Sequence, residues 1–172
     1  MSSSGDRVRA NKKMRKYKDL RSRFDVVLIQ ETHGCSADEE TLAREGSSHV
    51  HYLSCFQARL AGGLLISVRR RFLNSYVKNI VYDDVEVARM QCLTLVLNFG
   101  ELIFVNLHLD PESTNNEAKN FHLRARGLLD LASSHWGFIA GDFNAPPKDE
   151  PRVCVDDGSI MDTFSRYTEV AE

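Results

Sequence analysis

Apolar positions along the chain fall into two rhythms. Three short continuous runs, within Asp25-Val26-Val27-Leu28-Ile29, Leu64-Leu65-Ile66-Ser67-Val68 and Trp136-Gly137-Phe138-Ile139-Ala140, read as strands covered on both faces. Further strands are predicted over Tyr76 to Tyr82, Val85 to Met90, Cys92 to Phe99 and Leu102 to Leu109. The last two join through Asn98-Phe99-Gly100-Glu101, a hairpin-like turn, so the middle of the chain is an antiparallel meander. His49 and His51 lie in an irregular or strand segment, and Gly62-Gly63 punctuates the chain before the second buried run.

The second rhythm is helical. Ala10, Met14, Tyr17, Leu20 or Arg21, and Phe24 recur at three- and four-residue steps, predicting a helix over about 11–24 with one apolar stripe on a basic surface. Ser36 followed by early acids predicts a short helix over 36–46. Thr114-Asn115-Asn116-Glu117 is a capping box, and Ala118, Phe121, Ala125, Leu128, Leu129 and Ala132 form the stripe behind it. Residues 1–9 are expected to be flexible and 10–172 to form a single domain, with loop after Asn144 and only weak pattern over 160–170.

Totals narrow the picture. The 172 residues are enough to bury a core, and 42% apolar with 27% charged residues describes a globular chain. No apolar run approaches the roughly 20 residues of a membrane helix, and the first residues carry no secretory pattern. Cys35, Cys55, Cys92 and Cys154 lie too far apart for a zinc framework and read as reduced thiols, which suits an intracellular protein. Net charge is -2, yet residues 1–23 hold nine Lys/Arg against Asp6 and Asp19, a net of +7, so the remainder carries -9. A basic arm on an acidic body is compatible with nucleic-acid contact, though such a run is more often a solvated helix face.

Candidate chemistry sits where apolar runs stop. The first strand ends at Gln30-Glu31-Thr32-His33, a carboxylate at a buried strand's tip. Asn106, His108 and Asp110 share one face by period two. The last run ends in Gly141-Asp142-Phe143-Asn144, where Asp142 and Asn144 point one way and Phe143 the other. Carboxylates, one imidazole and a carboxamide suit Mg²⁺-assisted phosphodiester hydrolysis: a hard cation neutralises the phosphate, an acid or base prepares water, and donors steady the phosphate oxygens.

These segments, with Gly62-Gly63-Leu64-Leu65-Ile66 and Val105-Asn106-Leu107-His108, resemble the successive motifs of the endonuclease/exonuclease/phosphatase superfamily over roughly residues 10–148. Gln-Glu-Thr-His is a common form in the apurinic-type endonuclease domain of non-LTR retrotransposons. The resemblance implies an α+β fold, a four-layer α/β/β/α sandwich, here incomplete. It implies that Glu31 binds Mg²⁺ (or Mn²⁺), that Asp142 orients or activates water, and that Asn144 holds the phosphate or the metal's water shell. His108 would donate to a phosphate oxygen, with Asn106 and His33 as further substrate contacts. Nucleic acid, DNA rather than RNA, is the implied partner, with a missing chain segment or an adjacent reverse transcriptase beside it.

Two departures bear on activity. Met1–Arg9 offers no strand with the family's metal-site Asn, and no His follows Asn144 to supply the usual Asp-His pair. An incomplete copy with little or no turnover is therefore expected, because catalytic groups that act as a unit fail together. The competing expectations are a non-catalytic nucleic-acid-binding or interaction module, a phosphodiesterase of the same superfamily with a non-DNA substrate, and a plain metal-free domain.

Overall fold

The computed structural model of the chain describes residues 4–33, 42, 48–56, 62–110, 112–130 and 135–143. Within them lie, in chain order, α1 (Ser4–Arg23), β1 (Val26–Gln30), β2 (His49–Ser54), β3 (Leu64–Arg69), α2 (Arg70–Tyr76), β4 (Val77–Glu86), β5 (Met90–Leu97), β6 (Gly100–His108), α3 (Asn115–Asp130) and β7 (His135–Asp142). One sheet has the order β1-β3-β2 and is antiparallel; the other is β4-β5-β6-β7, antiparallel except for the β6/β7 pair. That parallel pair needs a crossover, which α3 provides.

Alternation decides the layers. Ile66 and Val68 of β3 face Leu93, Leu95 and Phe104 of the second sheet, joined by Leu73 of α2. Ser67, between them, faces the other way and accepts a hydrogen bond from Tyr17 of α1 at 3.1 Å. On the far side, Phe121 and Ala125 of α3 cover Met90, Cys92, Val105 and Leu107. The result is the four-layer α/β/β/α arrangement that the family resemblance implies. Apolar area removed from water stabilises by about 25 cal/mol per Å², which favours packing the two sheets face to face and α3 over the second.

The start of α3 and the end of α1 are held by polar contacts. Thr114 and Glu117 form the predicted capping box: Thr114 N donates to Glu117 Oε2 at 2.8 Å, and Glu117 N to Thr114 Oγ1 at 3.3 Å. Arg69 caps the other helix, donating through Nη2 to the carbonyls of Arg21 and Ser22 at 2.9 and 3.0 Å while Nη1 pairs with Asp25 at 2.9 Å. A cation at a helix C-terminus also suits the helix dipole. Arg69 is thus neither a free edge charge nor a phosphate contact, whereas Arg70 and Arg71 are exposed.

Several expectations are corrected. α1 starts at Ser4, ahead of the helix expected over about 11–24; Arg, Ala and Lys extend the helix by propensity, beyond where an apolar stripe can mark it. Residues 70–76 form α2; the Tyr76 to Tyr82 strand extends as β4 to Glu86, with a slip in pairing between Asp83 and Glu86, and the expected Val85 to Met90 strand is instead the end of β4, a turn over 87–89 and the first residue of β5. β7 is not fully buried: among the described residues it is the sheet's edge, and Trp136 and Phe138 are 52% and 53% exposed. β1 also borders its sheet, with Val27 alone fully buried. The helix predicted over 36–46 and the segments after Phe143 lie outside the described residues.

His49 and His51 stack with ring centroids 6.3 Å apart and face α1, the Tyr17 hydroxyl lying 3.1 Å from His51 Nδ1. Burial first, then Arg21, His49 and Arg70, lower the His51 pKa from 6.5 to about 4. Burial likewise lowers His49, ahead of Arg21 and Arg69. The unfolded chain therefore takes up these protons near pH 6.5 while the folded one resists, so stability is lost as pH falls from about 6.5 to about 4. Thermal melts across that window should show Tm falling with pH, and His51→Phe should flatten the slope. An identical slope in both proteins would contradict this account of the contact between α1 and the sheet.

Candidate active site

Three strands end at one rim of the sandwich, and a buried polar seam sets how they meet. Asn106, 0% exposed, donates through Nδ2 to the carbonyls of Ile29 and Leu65 at 3.1 and 3.3 Å, and its Oδ1 accepts from Gln30 Nε2 at 2.6 Å. Beside it the fully buried Gln91, with its amide oxygen turned inward, accepts from the backbone N–H groups of Leu65 and Ile66 at 3.2 and 3.3 Å. These bonds tie β6 and β5 to β1 and β3. Leaving any of these groups unpaired inside the core would cost about 1–3 kcal/mol, which disfavours a slipped packing.

The tip of β1 then turns sharply. Glu31 and His33 adopt φ of +51° and +50°, the left-handed region, at a cost of order 1 kcal/mol each. The strain is held by backbone bonds: Thr32 N donates to Gly63 O at 3.1 Å, and His33 N to Gly62 O at 3.0 Å. Gly62 and Gly63 have φ of +96° and +89°, and a Cβ on Gly63 would strike Thr32 Oγ1. Gly63 N donates in turn to Ala88 O at 3.2 Å, joining this floor to the turn between β4 and β5.

On the rim, His108 ends β6 with a side chain 3% exposed, and its Nε2 lies 3.3 Å from Glu31 Oε1. The Glu31 carboxylate is half exposed, and its other oxygen lies 3.8 Å from His33 Nε2. Asp142 is the in-register partner of His108 on parallel β7, and Leu109 N donates to Asp142 O at 2.8 Å. Partners in a parallel ladder project to the same face, about 4.8 Å apart. The stacked Phe104 and Phe138 rings, 5.5 Å apart and four residues earlier on each strand, follow that rule. Phe143 points the other way, onto the α3 cluster and stacked on His122. Gly141 is required here because a side chain would run into the Leu107 carbonyl.

Glu31 and His108 meet at this rim, register puts Asp142 beside His108, and His33 lies at the margin. Asn106 shares the face of His108 but is fully buried in the interior of the sandwich. Asn144 lies outside the described residues. One structural support was missed, Arg89, which nothing local marks; Gly62-Gly63, read from the sequence as punctuation before a strand, carries the turn that holds the tip of β1. The donor set suits a hard cation: Glu31 and Asp142 are exposed carboxylates at one rim, and a small divalent ion usually takes one or two carboxylates and keeps several waters. Among the described residues no group of three or more His, Cys, Asp or Glu is placed to hold a metal ion.

The profile of the Endonuclease/Exonuclease/phosphatase family matches residues 2–153. A humanized D. rerio TDP2 carrying 14 mutations aligns with TM-score 0.57 at 18% identity, over 83% of this chain and 57% of that one. D. rerio TDP2 complexed with single strand DNA product aligns with TM-score 0.54 at 19% identity, over 78% and 53%. TDP2 from C. elegans aligns with TM-score 0.50 at 19% identity, over 78% and 42%. Such identities speak for the fold, and the chain spans about half the length of these structures. No curated protein matches.

Gly63→Ala should destabilise the protein by about 1–3 kcal/mol in urea melts, since it strains φ and displaces Thr32. Gly127→Ala, where nothing lies within 4 Å in α3, should instead stabilise by about 0.5–1 kcal/mol. Equal effects of the two substitutions would contradict the role given to Gly63.

Proposed function

The chain belongs to the endonuclease/exonuclease/phosphatase family, and from that membership we propose that its three strand ends form a divalent-metal-dependent phosphodiester hydrolase site acting on DNA. The observation that carries this reading is the junction of Glu31, His108 and Asp142, one donor and two carboxylates brought together from β1, β6 and β7. Family members are generally divalent-metal dependent. Glu31, with Asp142, would hold Mg²⁺ or Mn²⁺, and a bound cation there supplies charge neutralisation of the phosphate. His108 presents an N–H to a phosphate oxygen, Asp142 accepts a proton from the attacking water and orients it, and Asn144 contacts the phosphate.

DNA is favoured over other phosphodiesters by α1, whose Lys12, Lys13, Arg15, Lys16 and Arg23 are exposed. The helix is tied at its C-terminal end to Asp25 and Arg69, at the foot of β1, and folds back along the sheet towards the Glu31 end. The D. rerio TDP2 structure complexed with single strand DNA product shows the same fold used on DNA in that protein. Gln30-Glu31-Thr32-His33 supports the finer reading, a retrotransposon-type endonuclease working beside a reverse transcriptase. The same basic helix supports a second reading, a nucleic-acid-binding module that does no chemistry.

Nicking of supercoiled plasmid in MgCl2 separates them. The hydrolase reading expects slow nicking, abolished by chelation and lowered at least about 100-fold by Glu31→Ala or Asp142→Ala. Nicking that survives both substitutions overturns it. Binding without nicking, steeply salt-dependent and lost on replacing Lys12, Lys13, Arg15 and Lys16 by Glu, would establish the binding module instead.

A further inference from the structure

Arg89 enters the site from the turn after β4, where Ala88 has φ of +61°. It holds His108 twice. Its carbonyl accepts from His108 N at 2.8 Å, and its Nη1 lies 3.1 Å from His108 Nδ1. The guanidinium is fixed in turn by Asp110, which accepts from Nη2 at 2.6 Å, and the Arg89 side chain is only 19% exposed. A guanidinium has donors and no acceptor. His108 Nδ1 must therefore offer its lone pair to Arg89, and the ring proton must sit on Nε2, which faces Glu31 Oε1 at 3.3 Å. The opposite tautomer would set donor against donor at Arg89 and lone pair against lone pair at Glu31.

We propose that Arg89 is a positioning residue that fixes the tautomer and the ring plane of His108, so that a hydrogen-bond donor always faces the place beside Glu31 where a phosphate oxygen would lie. The geometric part stands on the contacts alone; the phosphate part rests on the hydrolase reading above. Asp110 belongs to the same device, since without it the guanidinium is free to turn away from the ring. The chain order explains why the device is compact: His108 and Asp110 flank Leu109, which packs into the α3 cluster and keeps the two polar groups on one side.

Nitrogen-15 NMR of the imidazoles, on the full chain without metal at neutral pH, reads the tautomer directly, with the His108 signals assigned by their loss in His108→Gln. Wild-type protein should show His108 protonated on Nε2, and Arg89→Met should give a mixture of tautomers, whereas Arg89→Lys, whose ammonium still donates, should restore Nε2–H. In plasmid nicking, Arg89→Met should lower kcat about tenfold or more with KM little changed, and Arg89→Lys should recover most of it. Wild-type His108 protonated on Nδ1 overturns the proposal, whether or not Arg89→Met folds. So does an unchanged tautomer in a folded Arg89→Met, even if nicking is lost. A shifted tautomer with no nicking in any variant upholds the positioning role and removes the hydrolase reading instead.

Discussion

The side-chain amide of Asn106 reaches across the sandwich to the carbonyls of Ile29 and Leu65, and in doing so it sets the offset between the two sheets. Apolar faces alone do not define an offset, since Leu, Ile and Val tolerate sliding at small cost. A buried amide does, because its donors and acceptor find partners only in one arrangement. Gln30 and Gln91 complete the seam. With that offset in place, the end of β1 comes against the end of β6, and parallel pairing brings β7 alongside, so Glu31, His108 and Asp142 meet at one rim.

From the seam outward, stability is traded for placement. Glu31 and His33 stand in strained backbone, and Gly62 and Gly63 absorb the turn that holds them. A half-exposed carboxylate beside a buried imidazole is an arrangement suited to exchanging partners: the imidazole is fixed by Arg89, while the carboxylate stays within reach of solvent and ions. The basic helix α1 packs on the outside of this frame through a small polar cluster of Tyr17, His51 and Ser67, not through a wide apolar stripe, and so presents most of its charge outward.

Much of this was legible in the sequence because the signals are local. Apolar runs that stop abruptly at Glu31 and Asp142 mark strand ends, the step of two places His108 and Asn106 on one face, and Thr114 with Glu117 marks a helix start. What a step of two cannot say is where the interior ends along that face; Asn106 is inside and His108 is at the boundary, and only the packing of the sheets separates them. Arg89 was invisible for a similar reason: its partner ring lies 19 residues away along the chain, and one arginine in a turn carries no pattern. The runs at 136–140 and 85–90 misled because edge exposure and bulges depend on neighbours, which a hydrophobic pattern does not record.

The account stands or falls on one pocket shared by the ends of β1, β6 and β7. A crystal grown or soaked with Mn²⁺ and measured for anomalous scattering tests it most directly. The expected result is an ion peak about 2.1 Å from a carboxylate oxygen of Glu31, with Asp142 turned to the same ion or its waters. Strong Mn²⁺ peaks elsewhere, with Glu31 and Asp142 facing separate stretches of solvent and no ion between them, would contradict it.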